Sequence, residues 1–560
     1  MIILGVSRGR HDGSVTLLID NKVVYHLESE RLSNVRHDRY AFQAIGKIKD
    51  YVDHVDYIVL TGLEKNPKYA SGDPLDASNL DPYTCYVLGL GKSFYEYGVK
   101  EADLWDIHHE IHASTAFYNS GFDRALCVVK DGQGSRYNLT GKMFEANSYG
   151  YENGSVFIKE YPDLSFLFKK HISVDFKLPK RPFWIDDHIY LTNSMSEATV
   201  FEKVSELIGL TTWDAGKTMG LSSYGKDKKF NFKLYEENLI NEKIFGRNVT
   251  LSEMKSLISN LETFEEKADL AYKIQKEIQE QVAEEIVELI KQTGEKNICL
   301  SGGFFLNCVS NYNLLKKIPK DVNIYIEPMS TDGGNSLGAA KLWYYHLTKS
   351  KEISKQINVY YGPEYKYKIK DLKNQKIIKN VNKEYVANLL ANKKIVALYQ
   401  GRSEAGHRAL GNRSILYDPR DIDGKDHVNI VKKREFFRPF AGTVMEEYAQ
   451  DWFDMERLKD SKFMMYAVDV LKNKQKIIPA ITHVDGTCRV QTVSKKDNKH
   501  YYELIDEFYK ITNVPILLNT SFNLAGNAIV ETLDDALKTF NNSEIDYLYL
   551  PELKVLVKKD

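Results

Sequence analysis

Between Leu270 and Ile290 an apolar residue returns at every fourth position: Leu270, Ile274, Ile278, Val282, Ile286 and Ile290, with charges between them. That is the pattern of a helix with one buried stripe. Gly294 is placed to stop it. Ile298-Cys-Leu300 then reads as a short buried strand, Ser301-Gly-Gly303 as a glycine-rich turn, and a helix is expected beyond it. A chain that runs helix, buried strand, glycine turn, helix is building an α/β layer structure. The turn gathers backbone N–H groups at the positive end of a helix, where phosphate binds. Tight packing would call for the same glycines, so both readings stand.

The opening has a related design. Ile2–Val6 is an apolar run, the loop Ser7-Arg-Gly-Arg-His-Asp-Gly-Ser14 follows, and Val15–Ile19 is a second run. Asp20-Asn-Lys22 is the expected hairpin turn into Val23–Leu27. Further on, the strand-like runs Ile395–Tyr399, Val514–Leu518 and Tyr547–Leu550 alternate with helical segments. With 560 residues the chain exceeds what one core can organise. A polar stretch rich in Lys and Tyr marks the join. It predicts a first α/β domain over residues 1–355, a linker over 356–372 and a second α/β domain over 373–560.

Composition excludes several classes. The apolar share of 43% and the charged share of 27% are ordinary for a globular protein. A formal net charge of -1 gives no global field toward a polyanion or an anionic membrane. No apolar run approaches a membrane span. Arg8 and Arg10 follow the first apolar run, the wrong order for a secretory signal. Cys85, Cys127, Cys299, Cys308 and Cys488 are scattered without a CxxC pair. They read as thiols in a reducing cytosol. The chain is therefore expected to be cytoplasmic, without a membrane partner. Between Tyr161 and Tyr190, basic and aromatic residues interleave, Lys169, Lys170, His171, Lys177, Lys180 and Arg181 among Phe166, Phe168, Phe176, Phe183 and Trp184. This reads as a β-rich excursion with a solvated basic face, or as a surface that stacks bases.

Chemistry-bearing residues form two sets. His108 and His112 are four apart in Ile107-His-His-Glu-Ile-His-Ala113, so a helix would put both rings on one face, within reach of one metal ion. Buried structural histidines would show the same spacing. Asp131 ends the apolar strand Ala125–Val129 and opens Asp131-Gly-Gln-Gly134, and Asp332 sits in Ser330-Thr-Asp-Gly-Gly334. Two imidazoles and two carboxylates suit iron, manganese or zinc. In the second half, Arg402, Arg408, Arg413, Arg420, Arg434, Arg438 and Arg489 lie among Gly, Asn and Ser, the setting in which guanidinium groups hold phosphate or carboxylate oxygens. Asn519-Thr-Ser521, after the strand Pro515–Leu518, suits a carbonyl or carbamoyl ligand. These residues describe a two-domain phosphate-handling enzyme with a metal, and leave the reaction open.

At these residues the sequence resembles the O-carbamoyltransferases of the nodulation-protein and aminoglycoside-antibiotic type. The resemblance runs along nearly the whole chain and keeps the family's order. It is carried by His11-Asp-Gly-Ser14, His108-His-Glu-Ile-His112, Asp131-Gly-Gln-Gly134, Lys217-Thr-Met-Gly-Leu-Ser-Ser-Tyr-Gly225, Ser301-Gly-Gly303 with Leu306-Asn-Cys308, and Asp332-Gly-Gly334 with Leu337-Gly-Ala-Ala340. It continues through Arg408-Ala-Leu-Gly-Asn-Arg-Ser-Ile-Leu416, Phe437-Arg-Pro-Phe-Ala441, His483-Val-Asp-Gly-Thr487 with Arg489-Val-Gln-Thr492, and Leu518-Asn-Thr-Ser-Phe-Asn523. The resemblance implies an N-terminal actin-like ATPase domain, similar to the one that transfers threonylcarbamoyl groups, fused to a C-terminal YrdC-like α/β domain. It implies ATP and carbamoyl phosphate as co-substrates. Carbamoyl phosphate would give carbamate, carbamate would be adenylated to carbamoyl-AMP, and an acceptor hydroxyl would take the carbamoyl group. By the same resemblance His108, His112, Asp131 and Asp332 would bind a divalent metal, iron(II) or alternatively magnesium. Lys217, Gly302, Gly303, Asn307 and Asp332 would contact ATP. Arg408, Arg413, Arg438, Arg489, Asn519 and Ser521 would hold carbamoyl phosphate, and His11 or Asp12 would orient or deprotonate the acceptor.

The sequence departs from the family at His407, where Pro is usual, at Ser222-Ser223, where Ala-Pro is usual, and at Asn527, where Glu is common. The acceptor stays open: a sugar, another natural product, or a hydroxymethylated pyrimidine in a nucleotide or in DNA. Oligomeric state is open too, a homodimer being one arrangement. The other readings are a tRNA threonylcarbamoyl transferase and a non-catalytic actin-like nucleotide-binding scaffold.

Overall fold

A computed structural model describes residues 1–8, 11–62, 100–104, 107–138, 149–162, 164–173, 183–184, 189–192, 195–227, 234, 238–240, 243–245 and 261–559. The chain forms two compact units. The first takes Met1–Ser33, His37–Ala215 and Asp227–Gln356, and the second takes Asn34–Arg36, Gly216–Lys226 and Ile357–Asp560. No helix among the described residues is long and apolar enough to cross a membrane.

The first unit is built twice from one plan. Its first sheet contains Ile2–Ser7, Ser14–Ile19, Lys22–Glu28, Tyr57–Thr61 and Lys100–Asp103, in the spatial order third, second, first, fourth, fifth. The first three strands run antiparallel, and the fourth and fifth continue parallel to the first. The core of the second sheet repeats that order and those directions with Arg124–Val129, Tyr149–Glu160, Leu164–Ser173, Asn297–Ser301 and Asn323–Ile326. Two such sheets in one unit are the layout of the actin-like α/β class. The expected hairpin at Asp20 and Asn21 is a two-residue turn with φ of 44° and 64°, the left-handed pair that matches strand twist.

The helix read from the fourfold repeat spans Phe264–Thr293. Thr263 and Glu266 cap its start reciprocally, and Gly294 ends it at φ 70°. After the strand Asn297–Ser301, the glycine turn runs through a 3-10 turn, Gly303–Leu306, before the helix Cys308–Lys317 begins. The helix thus starts five residues later than the turn's first glycine would give. Of the basic-aromatic stretch, Leu164–Ser173 and Ile189–Thr192 are paired strands. Phe176, Lys177, Lys180 and Arg181 lie outside the described residues, as does Cys85.

Two helices of the first unit pack at close range. His108–Ser120 and Asn335–Thr348 lie in direct contact. A Cβ on Gly338 would stand 2.1 Å from Thr115 Oγ1 and 2.6 Å from the Ile111 carbonyl oxygen, so only glycine permits this approach.

The second unit carries a ten-stranded mixed sheet. Arg413–Tyr417, Ile516–Ser521, Ala441–Met445 and Thr487–Val493 lie side by side within it. Asn519-Thr-Ser521 is part of a strand rather than the turn after one. Ser521, Thr520 and Asn519 pair with Ser414, Ile415 and Leu416 on one side, and Asn519 pairs with Ala441 on the other. Pairing on both sides extends the strand beyond its apolar run.

Gly338→Ala should force the two helices apart, an overpacking cost of about 1–3 kcal/mol. Calorimetry of the full chain should show a lowered midpoint for the first unit's transition.

Candidate functional site

The helix His108–Ser120 puts His108 and His112 one above the other, and both are buried. Asp131 follows the strand Arg124–Val129, and Asp332 opens the turn that starts the helix Asn335–Thr348. The four side chains converge, with one ligand atom from each lying within 4.8 Å of the others. His108 Nε2 is 3.2 Å from Asp332 Oδ1 and 3.6 Å from Asp131 Oδ2, and His112 Nε2 is 3.3 Å from Asp332 Oδ1. The two Nε2 atoms are 3.2 Å apart. Bonds of about 2.1 Å from one cation place neighbouring donors roughly 3.0–3.4 Å apart in octahedral or tetrahedral geometry. The measured separations fall at or near that range, so the donor set fits a divalent metal with nitrogen and oxygen preferences.

The electrostatics make the same demand. Burial disfavours a charged His108, yet Asp332 and Asp131 overcome it and raise the imidazole to about 10. Burial would also raise Asp332, but His108 and His11 hold it well below the usual carboxylate range. Asp131 is lowered in the same way, mainly by His108. A proton here supplies the positive charge that a metal ion would supply better. The middle histidine behaves differently. His109 is held to about 3 by burial, and its Nδ1 lies 2.8 Å from Ser155 Oγ, facing away from the cluster. Asn335, which the motifs did not single out, puts its carboxamide nitrogen 3.5 Å from His108 Nδ1 and 3.4 Å from His112 Nε2. Its place three residues after Asp332, in the turn that starts a helix, was the available signal.

Gly302 has φ of 100°, and a Cβ there would meet the Lys130 carbonyl oxygen at 2.2 Å. The turn is therefore glycine-bound, and the Gly303 N–H donates to Asp131 Oδ1 at 2.9 Å. Asn307 caps the helix Cys308–Lys317 by accepting from the Ser310 N–H, and its amide donates to Gln275. Lys217 belongs to the second unit, where its ammonium lies 2.8 Å from Glu435.

On the other side of Asp332, His11 Nε2 is 3.8 Å from Asp332 Oδ2. Asp12 holds two rings, with His11 Nδ1 at 3.1 Å and His37 Nδ1 at 2.8 Å. Burial lowers His11, but Asp332 and Asp12 outweigh it and raise the ring to about 9.

In the second unit the strand register brings an amide and a guanidinium to one face. Asn519, Ala441 and Arg489 form one row across three strands, so their side chains share a face, and the alanine leaves space between the outer two. Asn519 donates to the Ala409 carbonyl, Thr443 Oγ1 and Gln491 Oε1, while its carboxamide oxygen is buried with no partner. Lys432, Arg434 and Arg438 join Arg489. Lys432 is depressed well below its usual value by burial and by Arg434 and Arg438, and Arg434 by burial and by Arg438 and Arg489. Lys432 donates to Asn523 and to the Ser521 carbonyl oxygen. It was missed because Lys432-Lys-Arg434 looks like a solvated basic run. Arg408 is half-buried in the turn before Arg413. Arg413 itself serves the fold. It is fully buried, its guanidinium lies 3.9 Å over Tyr399, and it donates to the carbonyls of Gln400, Gly401, Asn412 and Glu531. Those bonds leave it turned to the backbone rather than to a ligand, unlike the role the resemblance gave it.

Comparison with known proteins adds sequence relatives. A family model described as carbamoyltransferase N-terminus matches residues 2–341, and one described as carbamoyltransferase C-terminus matches residues 387–559. Nodulation protein NolNO of Sinorhizobium fredii is 30% identical over 98% of this chain and 79% of its own. Nodulation protein NolO of Bradyrhizobium diazoefficiens is 32% identical over 79% of this chain and 77% of its own. Full-length HypF, solved in a phosphate- and nucleotide-bound form, overlays 62% of this chain and 47% of its own, with a TM-score of 0.38 and 16% identity.

Removing one donor should open the cation site. Asp332→Asn is expected to weaken divalent-metal binding by ~10-fold or more, measured by anaerobic equilibrium dialysis with iron(II), manganese and zinc. Asn307→Ala, which removes a cap, should leave that affinity unchanged.

Proposed function

This chain belongs to the carbamoyltransferase family, and from that premise we propose that it is an ATP-dependent O-carbamoyltransferase using carbamoyl phosphate as donor. That it is a carbamoyltransferase acting on a hydroxyl-bearing acceptor follows from the family. The route is the proposal. The observation that carries it is the row Asn519–Ala441–Arg489, with Lys432, Arg434 and Arg438 around it. A buried oxygen without a donor beside a crowd of cations matches a ligand with an N–H at one end and a dianionic phosphate at the other. Carbamoyl phosphate is such a ligand. We assign Arg438, Arg489 and Arg408 to the phosphate, and Asn519 and Ser521 to the carbamoyl group, within a YrdC-like second unit.

In this reading water releases phosphate and carbamate in the second unit. In the first unit a carbamate oxygen attacks the α-phosphorus of ATP, the bond to the β-phosphate breaks, and pyrophosphate leaves. The acceptor oxygen then attacks the carbamoyl carbon, and AMP leaves. His108, His112, Asp131 and Asp332 would hold a divalent metal, iron(II) in our assignment, which supplies charge neutralisation to the phosphate oxygens. The Gly302-Gly303 turn, with Asn307 at the following helix start, lines the nucleotide's side. His11 or Asp12 would orient or deprotonate the acceptor hydroxyl.

The test is ATP–pyrophosphate exchange with the full chain. Exchange should require carbamoyl phosphate, and Arg438→Ala should raise the carbamoyl phosphate KM by ~10-fold or more. Equal exchange without carbamoyl phosphate would refute the route.

A further inference from the structure

Trp213 is 52% exposed, and it stands in the middle of the His11 side of the site. It sits in a single 3-10 turn, Thr212–Asp214. That turn is closed by the Asp214 carboxylate, which accepts from the Thr211 N–H at 3.1 Å and the Thr211 hydroxyl at 2.9 Å. His37 stacks on the indole, with ring centroids 4.3 Å apart and an interplanar angle of 26°. His11 meets it edge-on at 5.1 Å and 76°. Asp12 links the two histidines from a left-handed backbone, φ 52°, that a residue with a side chain adopts only under local constraint.

A scattered exposed apolar side chain needs no explanation. This one is different because it is fixed. Its turn is locked, one side of the ring is covered by His37, and the ring touches the imidazole that faces Asp332. A rigid aromatic surface with little left to order is what a binding platform requires. Two carboxylates stand beside it: Asp12 and Glu30 cluster with His37, the ring that stacks on the indole. Carboxylates accept hydrogen bonds from hydroxyls and pair with amines, and they repel phosphate-bearing polymers.

We propose that the uncovered part of the Trp213 indole is the acceptor platform, on which a saturated, hydroxyl-bearing ring lies with its C–H face on the indole and one hydroxyl at His11. The inference rests on the reading that the carbamoyl group is activated beside Asp131 and Asp332. The indole face is electron-rich and attracts polarised C–H groups and nearby amines. The carboxylates of Asp12 and Glu30 accept from the ring's other hydroxyls, and the reacting hydroxyl lies against the His11 ring. Trp213 thereby sets acceptor affinity and orientation.

The full-length protein is incubated with ATP, carbamoyl phosphate and iron(II), with methyl pyranosides, free amino sugars and 5-hydroxymethyl pyrimidine nucleosides as acceptors. Products are followed by mass spectrometry. Transfer to pyranosides or amino sugars is expected. Trp213→Ala should raise the KM for that acceptor at least ten-fold with a smaller change in kcat, and Trp213→Phe should recover most of the loss. An acceptor KM within two-fold of wild type in Trp213→Ala, or transfer confined to nucleosides, or transfer to none of the panel, overturns the platform. Wild-type ATP–pyrophosphate exchange is measured in parallel. Its failure sinks the carbamoyl-adenylate reading, whereas its success with an unchanged Trp213→Ala KM sinks only the platform.

Discussion

Asp131 and Asp332 are brought within reach of the same two imidazoles at a depth where a bare carboxylate is costly. The first unit can hold that arrangement only if positive charge is supplied between them. A proton on His108 is one source. It is a poor one, because His108 opens its helix, and the positive end of the helix dipole disfavours a charged ring there. A metal would resolve the conflict, since it binds imidazole in the neutral form and carboxylate in the charged form. The contact between helices His108–Ser120 and Asn335–Thr348, possible only with glycine at 338, makes the carboxylate and the rings meet.

The second unit presents the opposite problem. Lys432, Arg434, Arg438 and Arg489 crowd like charges together, the lysine buried and the arginines half-buried. Glu435 balances part of this charge through Arg438 and Lys217. In the proposed route a metal-bound nucleotide would offset the first unit's paired carboxylates, and carbamoyl phosphate would offset the second unit's cations.

The sequence showed the parts of this that depend on local spacing. A spacing of four from His108 to His112 fixes a shared helix face, and an apolar run ending at Asp131 fixes a carboxylate at a strand end. The duplicated sheet order was not legible, because it is set by pairing between strands far apart, such as Arg124–Val129 with Asn297–Ser301. The row Asn519–Ala441–Arg489 depends on register, and one residue of slip would turn each side chain to the other face. For the same reason Arg413 and Arg438, alike in their loops as text, have different uses: backbone carbonyls surround one, and other cations surround the other. Trp213 gave no signal in the sequence, because nothing near it in the chain places His11 or His37 against it.

Residues proposed to hold cation or anion sit at the ends of long elements or within paired strands: His108 and His112 on a helix, Asp131 after a central strand, Asn519 and Arg489 in the sheet. Residues on the acceptor side sit in connections. His11 and Asp12 lie between two strands, His37 follows the short helix Glu30–Ser33, and Trp213 lies in a one-turn link. Regular elements fix atoms to fractions of an ångström, as phosphoryl chemistry requires, whereas connections tolerate substitution without unsettling the core. A fold divided in this way can keep one activation chemistry while the acceptor it admits is decided by a few loop side chains.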